Sequence, residues 1–371
     1  MRTHPFNPSL KLSINTTHKL RAAPRPFAEL AAWHAAYRED ILEPALPIVD
    51  PHHHAWLDQR GRYVFDELSD DVNSGHNVLA TVFVQSGENM YRASGPAEMK
   101  SVGEVEFVNG IAAMAASGRI GKAQLCAGIV GYADLALGDA VQPVLEALIA
   151  AGNGRLRGIR HNMAWDESPA TADHSSVNKH NPRSRQICLN ADFQKGVARL
   201  ARNGLSFDAW MFFPQLPELM DLLRKNAETS VILNHVGGIL GVGPYQGKPD
   251  EIFTTWKGYM RELAAFPNLK IKVGGFGMPR CGWDFHLRDT HATSEELAAA
   301  WKPYVETTIE IFGPERCMLE SNFPVDKFTC GYAVLWNAFK RLTKNYSAAD
   351  KAALYKGTAT QAYRLSGLPD A

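Results

Sequence analysis

Two histidines one residue apart close a short apolar run in Ile48-Val49-Asp50-Pro51-His52-His53-His54. Alternate side chains of an extended strand share a face, so His52 and His54 project together while His53 points away. Two imidazoles on one face at a strand's end can share a divalent cation or divide acid and base roles between them. A lone histidine is more often structural. Two in register behind Asp50 point to chemistry.

A second apolar run stops at Asn234-His235-Val236-Gly237-Gly238. It offers a third imidazole, His235, beside glycines that let backbone or ligand approach closely. The bland alternative is a buried histidine bonded to a carbonyl. In Arg155-Leu156-Arg157-Gly158-Ile159-Arg160-His161, strand periodicity puts Arg155, Arg157 and His161 on one face, and Arg160 on the other unless the strand ends before it. A guanidinium at such an end suits bidentate capture of a substrate carboxylate or a developing oxyanion, although arginines there also cap helix carbonyls.

Asp208 interrupts the apolar run 205–213 and, if it faces inward, needs a His, an Arg or a metal as partner. Gln215, just after Pro214, either bonds a substrate or begins a helix. A further run ends in Glu320-Ser321-Asn322-Phe323-Pro324-Val325-Asp326. Glu320 and Asp326 can take a proton, whereas Asn322 donates and accepts hydrogen bonds but cannot serve as a carboxylate base. The alternative here is a turn whose polar groups only cap backbone.

Eight β-rich runs position these residues, at 47–51, 78–84, 124–130, 156–160, 205–211, 230–236, 269–274 and 316–320. Helical patterns lie between them, as at 140–151, 217–224, 294–312 and 333–344. This alternation calls for parallel strands joined by crossover helices, and the near-continuous apolar runs for strands covered on both faces. Eight units, with no GxGxxG after the first strand, predict a closed (β/α)8 TIM barrel rather than an open doubly wound sheet. Residues at the C-terminal ends of barrel strands converge on one mouth, which is what the histidines, arginines and acids require.

Residues 1–46 read as an N-terminal extension packing on the barrel, and 47–371 as the barrel itself. Within the extension, 27–37 is expected to be a helix that closes the barrel bottom or packs on its side. Segments 55–77 and 86–104 lengthen the loops around the second strand. The polar stretch 165–190, with two prolines, follows the fourth strand. Two readings of it stay open, an active-site lid and a surface insertion.

The chain has 371 residues, 45% apolar and 21% charged, enough to bury a large core. Lys plus Arg equals Asp plus Glu at 39 each, so no net field draws nucleic acid or an anionic membrane. The five cysteines (Cys126, Cys188, Cys281, Cys317, Cys330) form no CxxC pair, as expected for thiols in a reducing compartment. The first twenty residues lack a signal-peptide core, and no later stretch offers the 18 or so uninterrupted apolar residues of a membrane span. A cytoplasmic location is therefore expected.

The ordered series Asp50-Pro51-His52-His53-His54, Arg157-Gly158-Ile159-Arg160, Asn234-His235-Val236-Gly237-Gly238, Ser321-Asn322-Phe323-Pro324 and Gly357-Thr358-Ala359-Thr360-Gln361-Ala362-Tyr363-Arg364-Leu365 spans roughly residues 47–366. It resembles the amidohydrolase-related family, in the group of 2-pyrone-4,6-dicarboxylate lactonase and the sugar lactonases. More distantly it is similar to aminocarboxymuconate-semialdehyde and resorcylate decarboxylases. The resemblance implies a (β/α)8 barrel that hydrolyses or decarboxylates a small carboxylated compound. It also implies that His52, His54 and His235 are metal or substrate ligands, and that Arg157 or Arg160 binds the carboxylate.

Two positions depart from the family pattern. Asn322 stands where members carry an aspartate that serves as base or metal ligand. Phe213 is the residue nearest to a histidine that many members carry after the fifth strand. The role of the missing aspartate then passes to Asp50, Glu320, Asp326 or another histidine, or the reaction differs.

The expectation is thus a lactonase-type hydrolase with His52, His54, His235, Asn322 and Asp326 at the chemistry, and Arg157, Arg160, His161, Asp208 and Gln215 around the substrate. A non-oxidative decarboxylase, a hydratase or isomerase, and a non-catalytic carboxylate-binding barrel are the alternatives. One Zn²⁺ on His52, His54 and His235 and a metal-free site both stay open. A homo-oligomer is compatible with the pattern.

Overall fold

The fold is described from a computed structural model, over residues 20–87, 89–119, 121–171 and 184–368. Its strands in chain order are β1 (Pro47–His53), β2 (Trp56–Asp58), β3 (Gly61–Tyr63), β4 (Asn77–Val84), β5 (Gln124–Gly131), β6 (Leu156–Asn162), β7 (Ser206–Trp210), β8 (Val231–Leu233), β9 (Leu269–Val273) and β10 (Cys317–Leu319). β2 and β3 form a small antiparallel hairpin over the end of β1. The other eight pair in parallel, in the order β1-β4-β5-β6-β7-β8-β9-β10. The predicted barrel is therefore what the chain forms, and all eight predicted runs supply its strands.

The ring closes where β1 meets the segment after β10. Asn322 N donates to His52 O at 2.9 Å, and His54 N donates to Phe323 O at 2.7 Å. Asp50 fastens the same seam from inside by accepting from Ser321 N at 3.0 Å and from the Tyr332 hydroxyl at 3.0 Å. This carboxyl is spent on closure.

Helices α1 (Phe27–Ala35), α2 (Phe65–Val72), α3 (Val102–Ala116), α4 (Gln142–Ala151), α5 (Ala191–Arg202), α6 (Leu216–Lys225), α7 (Pro249–Leu263), α8 (Ser294–Phe312) and α9 (Tyr332–Leu342) precede the short C-terminal helices α10 (Ala348–Ala352) and α11 (Thr358–Ala362). α8 starts at a capping box, in which the Thr293 hydroxyl accepts from Glu296 N and the Glu296 carboxylate from Thr293 N. The large apolar cluster lies between the strands and these helices and contains the fully buried Trp256, Trp301 and Trp336. Truncating a buried side chain of that size to Ala costs about 3–5 kcal/mol. All five cysteines are free and buried.

A second, smaller apolar cluster fills the barrel itself with Val49, Ala80, Val82, Val84, Val130, Ile232 and Met318. Ala359, Ala362, Tyr363 and Leu365 join it from below. The C-terminal segment is tied to the N-terminal ends of the strands, with Gln124 Nε2 donating to Gly367 O and Arg364 Nη2 to Arg157 O. It is this segment that plugs the bottom.

The N-terminal helix, expected at the bottom or the side, lies instead on the loop-bearing rim. Phe27 packs on Trp56 and Phe328, His34 Nε2 lies 2.7 Å from Lys327 O, and His291 stacks between Trp33 and Tyr37. Its apolar residues thus meet loops that follow β1, β9 and β10. Periodicity showed a helix but could not show which end of the barrel had room for it. Among the described residues, no helix is long and apolar enough to cross a membrane.

Candidate active site

β1 delivers His52 and His54 to the barrel mouth on one face, their Nε2 atoms 3.2 Å apart. His54 Nδ1 donates to Val84 O at 2.8 Å, which leaves its Nε2 as the acceptor. His53 faces the other way, against the Thr81 hydroxyl at 2.9 Å and the Cys126 thiol. Both histidines of the pair are buried.

His235 arrives through a sharp turn after β8. His235, Val236, Gly237 and Gly238 all take positive φ, at 54, 49, 82 and 67°. For a β-branched residue such as Val236 this conformation is strained, a feature that concentrates at functional sites. A Cβ on Gly238 would fall 2.2 Å from Met211 O, and one on Gly275 would fall 2.5 Å from the His235 ring. His235 Nδ1 donates to Glu320 Oε1 at 2.7 Å, and Glu320 Oε2 stands 3.0 Å from His52 Nδ1. One carboxyl at the end of β10 thereby reaches two imidazoles. Trp210, rather than Phe213, faces the site from β7, edge-on to His235 at 4.8 Å. Phe213 turns away to pack on Tyr245.

Below the histidines Asp208 projects inward from β7, as an interior charge with a partner must. The partner is Lys272 on β9, whose Nζ lies 2.8 Å from Asp208 Oδ2 and 3.2 Å from His52 Nδ1. Tyr363 Oη and Asn234 Nδ2 also donate to Asp208, at 2.8 and 3.0 Å. Asp208 therefore holds other side chains instead of lining a substrate space.

β6 separates Arg157, Arg160 and His161. Arg160 points inward opposite Asp208 and donates from Nη2 to Gln85 O. The same peptide unit donates from Ser86 N to Glu104 Oε1 at 3.0 Å, so Glu104 steadies Arg160 through a shared peptide. Arg157 lies at the opposite, N-terminal end of β6, where Nη1 donates to Gly154 O and Leu156 O. This removes it from the substrate contacts. His161 points out of the barrel between Tyr132 and Phe193. Gln215 spends its amide on backbone, accepting from Trp165 N and Phe212 N and donating to Met163 O. It ties the loops after β6 and β7 together through backbone contacts.

Asn322 takes a left-handed turn at φ 54° and donates from Nδ2 to Asp326 Oδ1 at 2.7 Å. Asp326 Oδ2 accepts from Gly277 N at 2.8 Å. Asn322 and the Gly277 peptide thus hold both oxygens of the Asp326 carboxyl. In the stretch 165–190, Trp165 and Asp166 are anchored, the latter by the Tyr245 hydroxyl at 2.7 Å. Residues 172–183 lie outside the described residues.

Burial, reinforced by the charge of Arg160 at all three and of Lys272 at His52 and His235, pushes His52, His54 and His235 well below the usual histidine pKa. They are neutral at pH 7, the state that ligates a metal or accepts a proton. Burial raises Glu320 to about 8, against the pull of Lys272, and raises Asp326 well above the usual range. Arg160 is lowered to about 10 by burial and keeps its charge at pH 7. Arg280, on the loop after β9, adds a further buried guanidinium 5.6 Å from the Trp210 ring centre and depresses His235.

The donor set fits a divalent cation. One donor atom each from His52, His235 and Glu320 lie within 4.8 Å of one another. Glu320 Oε2 is buried without a well-formed hydrogen bond, an atom in want of a positive partner. Two imidazoles and a glutamate are a known zinc set, and the Nε2 of His54 adjoins them. Glu320 thus enters the site beside the three expected histidines.

Lys272, Glu104, Arg280 and Tyr363 escaped the sequence reading. For Lys272 a signal existed. A lysine inside a strand covered on both faces needs an interior anion, and Asp208 was the other unpaired interior charge.

Imidazoles at the ends of the first and sixth strands of a (β/α)8 barrel, with an acid at the end of the eighth, define an amidohydrolase-type centre. The chain belongs to the amidohydrolase family, whose family model matches residues 49–365. Protein y4mH of Sinorhizobium fredii is 30% identical over 336 residues, covering 86% of this chain and 99% of that protein. L-fucono-1,5-lactonase of Burkholderia multivorans is 28% identical over 247 residues, covering 66% of this chain and 74% of that enzyme. The crystal structure of a Burkholderia multivorans amidohydrolase with bound zinc shares the fold at a TM-score of 0.64 and 24% identity, covering 86% of this chain and 99% of that one.

Proposed function

We propose that the protein is a lactonase-type hydrolase of a small carboxylated ring or sugar-derived lactone. The observation that carries this reading is three neutral, buried imidazoles gathered under the charge of Arg160, which acts on all three. The likeness to L-fucono-1,5-lactonase supports lactone hydrolysis as the reaction.

Arg160 pairs with the substrate carboxylate and sets the lactone carbonyl before His52, His54 and His235. Water oxygen bonds to the acyl carbon, the ring C–O bond breaks, and the released alkoxide takes a proton. Asp326, tied by Asn322 and Gly277, carries the proton from the attacking water to that alkoxide. His52, His235 and Glu320, with His54 adjoining, would hold a divalent cation, and the zinc of the Burkholderia amidohydrolase supports zinc as the ion. Such an ion supplies a Lewis acid for the carbonyl oxygen and a lower pKa for the attacking water. The five free, buried cysteines support a cytoplasmic location.

Asn322 favours a second reading, non-oxidative decarboxylation, because a neutral amide stands where a carboxylate would activate water. Turnover of a lactone panel in ¹⁸O-water separates the two. Ring-opened acid carrying one ¹⁸O is the expected product. Release of CO2 from an aromatic acid with no ¹⁸O uptake, and no lactone opening, supports the second reading and contradicts the first.

A further inference from the structure

We propose that helices α1 and α2 position the Asp326 carboxyl by holding Lys327, the next residue of its turn, through both backbone and side chain. From α1, His34 Nε2 donates to Lys327 O at 2.7 Å. From α2, the two oxygens of Asp71 accept from Lys327 Nζ at 2.8 and 2.7 Å. The hydroxyl of Tyr63, at the end of the β2–β3 hairpin, donates to Asp71 Oδ2 at 2.8 Å and fixes the acceptor in turn. Lys327 Nζ lies 5.5 Å from the Tyr63 ring centre and 6.0 Å from that of Phe323.

The turn Asp326–Phe328 is gripped from two sides. Towards the barrel, Asp326 accepts from Asn322 Nδ2 and Gly277 N, and the Thr329 hydroxyl donates to Gly277 O at 2.8 Å. Away from it, Lys327 is held by His34 and Asp71, and Phe328 packs on Phe27 with ring centres 5.8 Å apart. Asp326 and Lys327 share one planar peptide, so a displaced Lys327 carries Asp326 with it. A Cβ on Gly277 would fall 2.8 Å from Asp326 Cβ, so the carboxyl already rests against that backbone. The ion pair itself is nearly buried, with side chains 8% and 14% exposed. Well-packed apolar residues commonly replace such a pair at no loss of stability, so stability alone does not account for it. Its attachment to the turn of Asp326 does, and the same attachment gives α1 a role on the loop-bearing rim.

The test compares the full-length parent, the charge-neutral double variant Asp71→Asn/Lys327→Met, and His34→Phe, each with Asp326 intact and with Asp326→Asn. On the lactone that the parent turns over, the double variant loses up to about 100-fold in kcat with KM little changed, as a small misplacement of a reacting group does. His34→Phe loses about 3- to 10-fold, the worth of one neutral hydrogen bond, and His34→Gln, which keeps an N–H donor, restores most of it. In the Asp326→Asn background neither change lowers kcat further, because the group they position is gone. Equal losses in both backgrounds overturn the proposal, and so does parent-like kcat in both variants. If the double variant does not fold, His34→Phe decides alone, on a helix whose one buried residue is Leu30. The kinetic arms rest on the hydrolase reading and its use of Asp326. Crystal structures of the variants need no substrate: in them Asp326 Oδ2 is expected to leave Gly277 N, its partner at 2.8 Å in the parent. An unmoved carboxyl overturns the proposal, whereas a displaced one beside an inactive lactone panel sinks only the hydrolase reading.

Discussion

His235 Nδ1 donates to Glu320 Oε1 across 2.7 Å, joining the ends of the sixth and eighth barrel strands through one short bond. The other oxygen of Glu320 lies 3.0 Å from His52 Nδ1, so a single carboxyl stands against two of the three site imidazoles. Glu320→Gln keeps the shape and removes the ionisable oxygen that would ligate a cation. It is expected to lower both zinc affinity and kcat by about 10- to 100-fold, as loss of a ligand-orienting carboxylate does. Elemental analysis and steady-state kinetics on the same preparation check this.

Gly275 is the floor on which the His235 ring rests. A methyl there would sit 2.5 Å from the ring, on a backbone with φ 68°. Gly275→Ala should therefore displace His235 and add left-handed strain of about 1–2 kcal/mol. The expected outcome is a fall in kcat well beyond the small drop in Tm, read from kinetics and a thermal melt. Parent-like kcat would place the chemistry elsewhere than at His235.

Arg160 is the one arginine of its strand that faces the histidines. Arg160→Met should raise KM for carboxylated lactones about 10- to 100-fold, the worth of a charge-assisted hydrogen bond, and leave neutral lactones nearly unaffected. Arg157→Met, at the far end of the strand, should change neither. Comparing the two variants on a charged and a neutral lactone makes the measurement.

What the sequence displayed and what it hid divide along a physical line. Local periodicity carries strand and helix identity, so all eight strands and the outward turn of His53 were readable. It also carries the side-by-side projection of His52 and His54. Which arginine of β6 faces inward was not readable, because the face depends on where the strand begins to pair and on the register shift between β5 and β6. The partners of buried charges were equally hidden. Lys272 reads as one more strand lysine until Asp208 lies beside it, and Tyr363 reads as the end of a helix until the C-terminal segment is seen inside the barrel. The substitution at Asn322 was visible, but its hydrogen bond to Asp326 depends on a turn that only tertiary structure supplies.

His76 tests the packing of the chain far from the chemistry. Burial and the neighbouring Lys340 ammonium, 2.9 Å from Nδ1, lower its pKa to about 4. An unfolded chain takes up this proton near pH 6.5, so the stability the neutral ring contributes is present above 6.5 and is lost as pH falls towards 4. A shift of that size corresponds to at most about 3 kcal/mol. His76→Gln should cost stability at pH 7.5, and the gap in Tm between parent and variant should narrow by pH 4.5. A gap independent of pH would contradict the assignment.

The most direct test of the account as a whole is lactone turnover by the parent protein and by His54→Ala, each measured with added zinc and after chelation. The account predicts ring opening of a carboxylated lactone by the parent, its loss on chelation and return with zinc, and a fall of at least about 100-fold in His54→Ala, the scale of losing one group that faces the reacting carbonyl. Equal rates in parent and His54→Ala would contradict it.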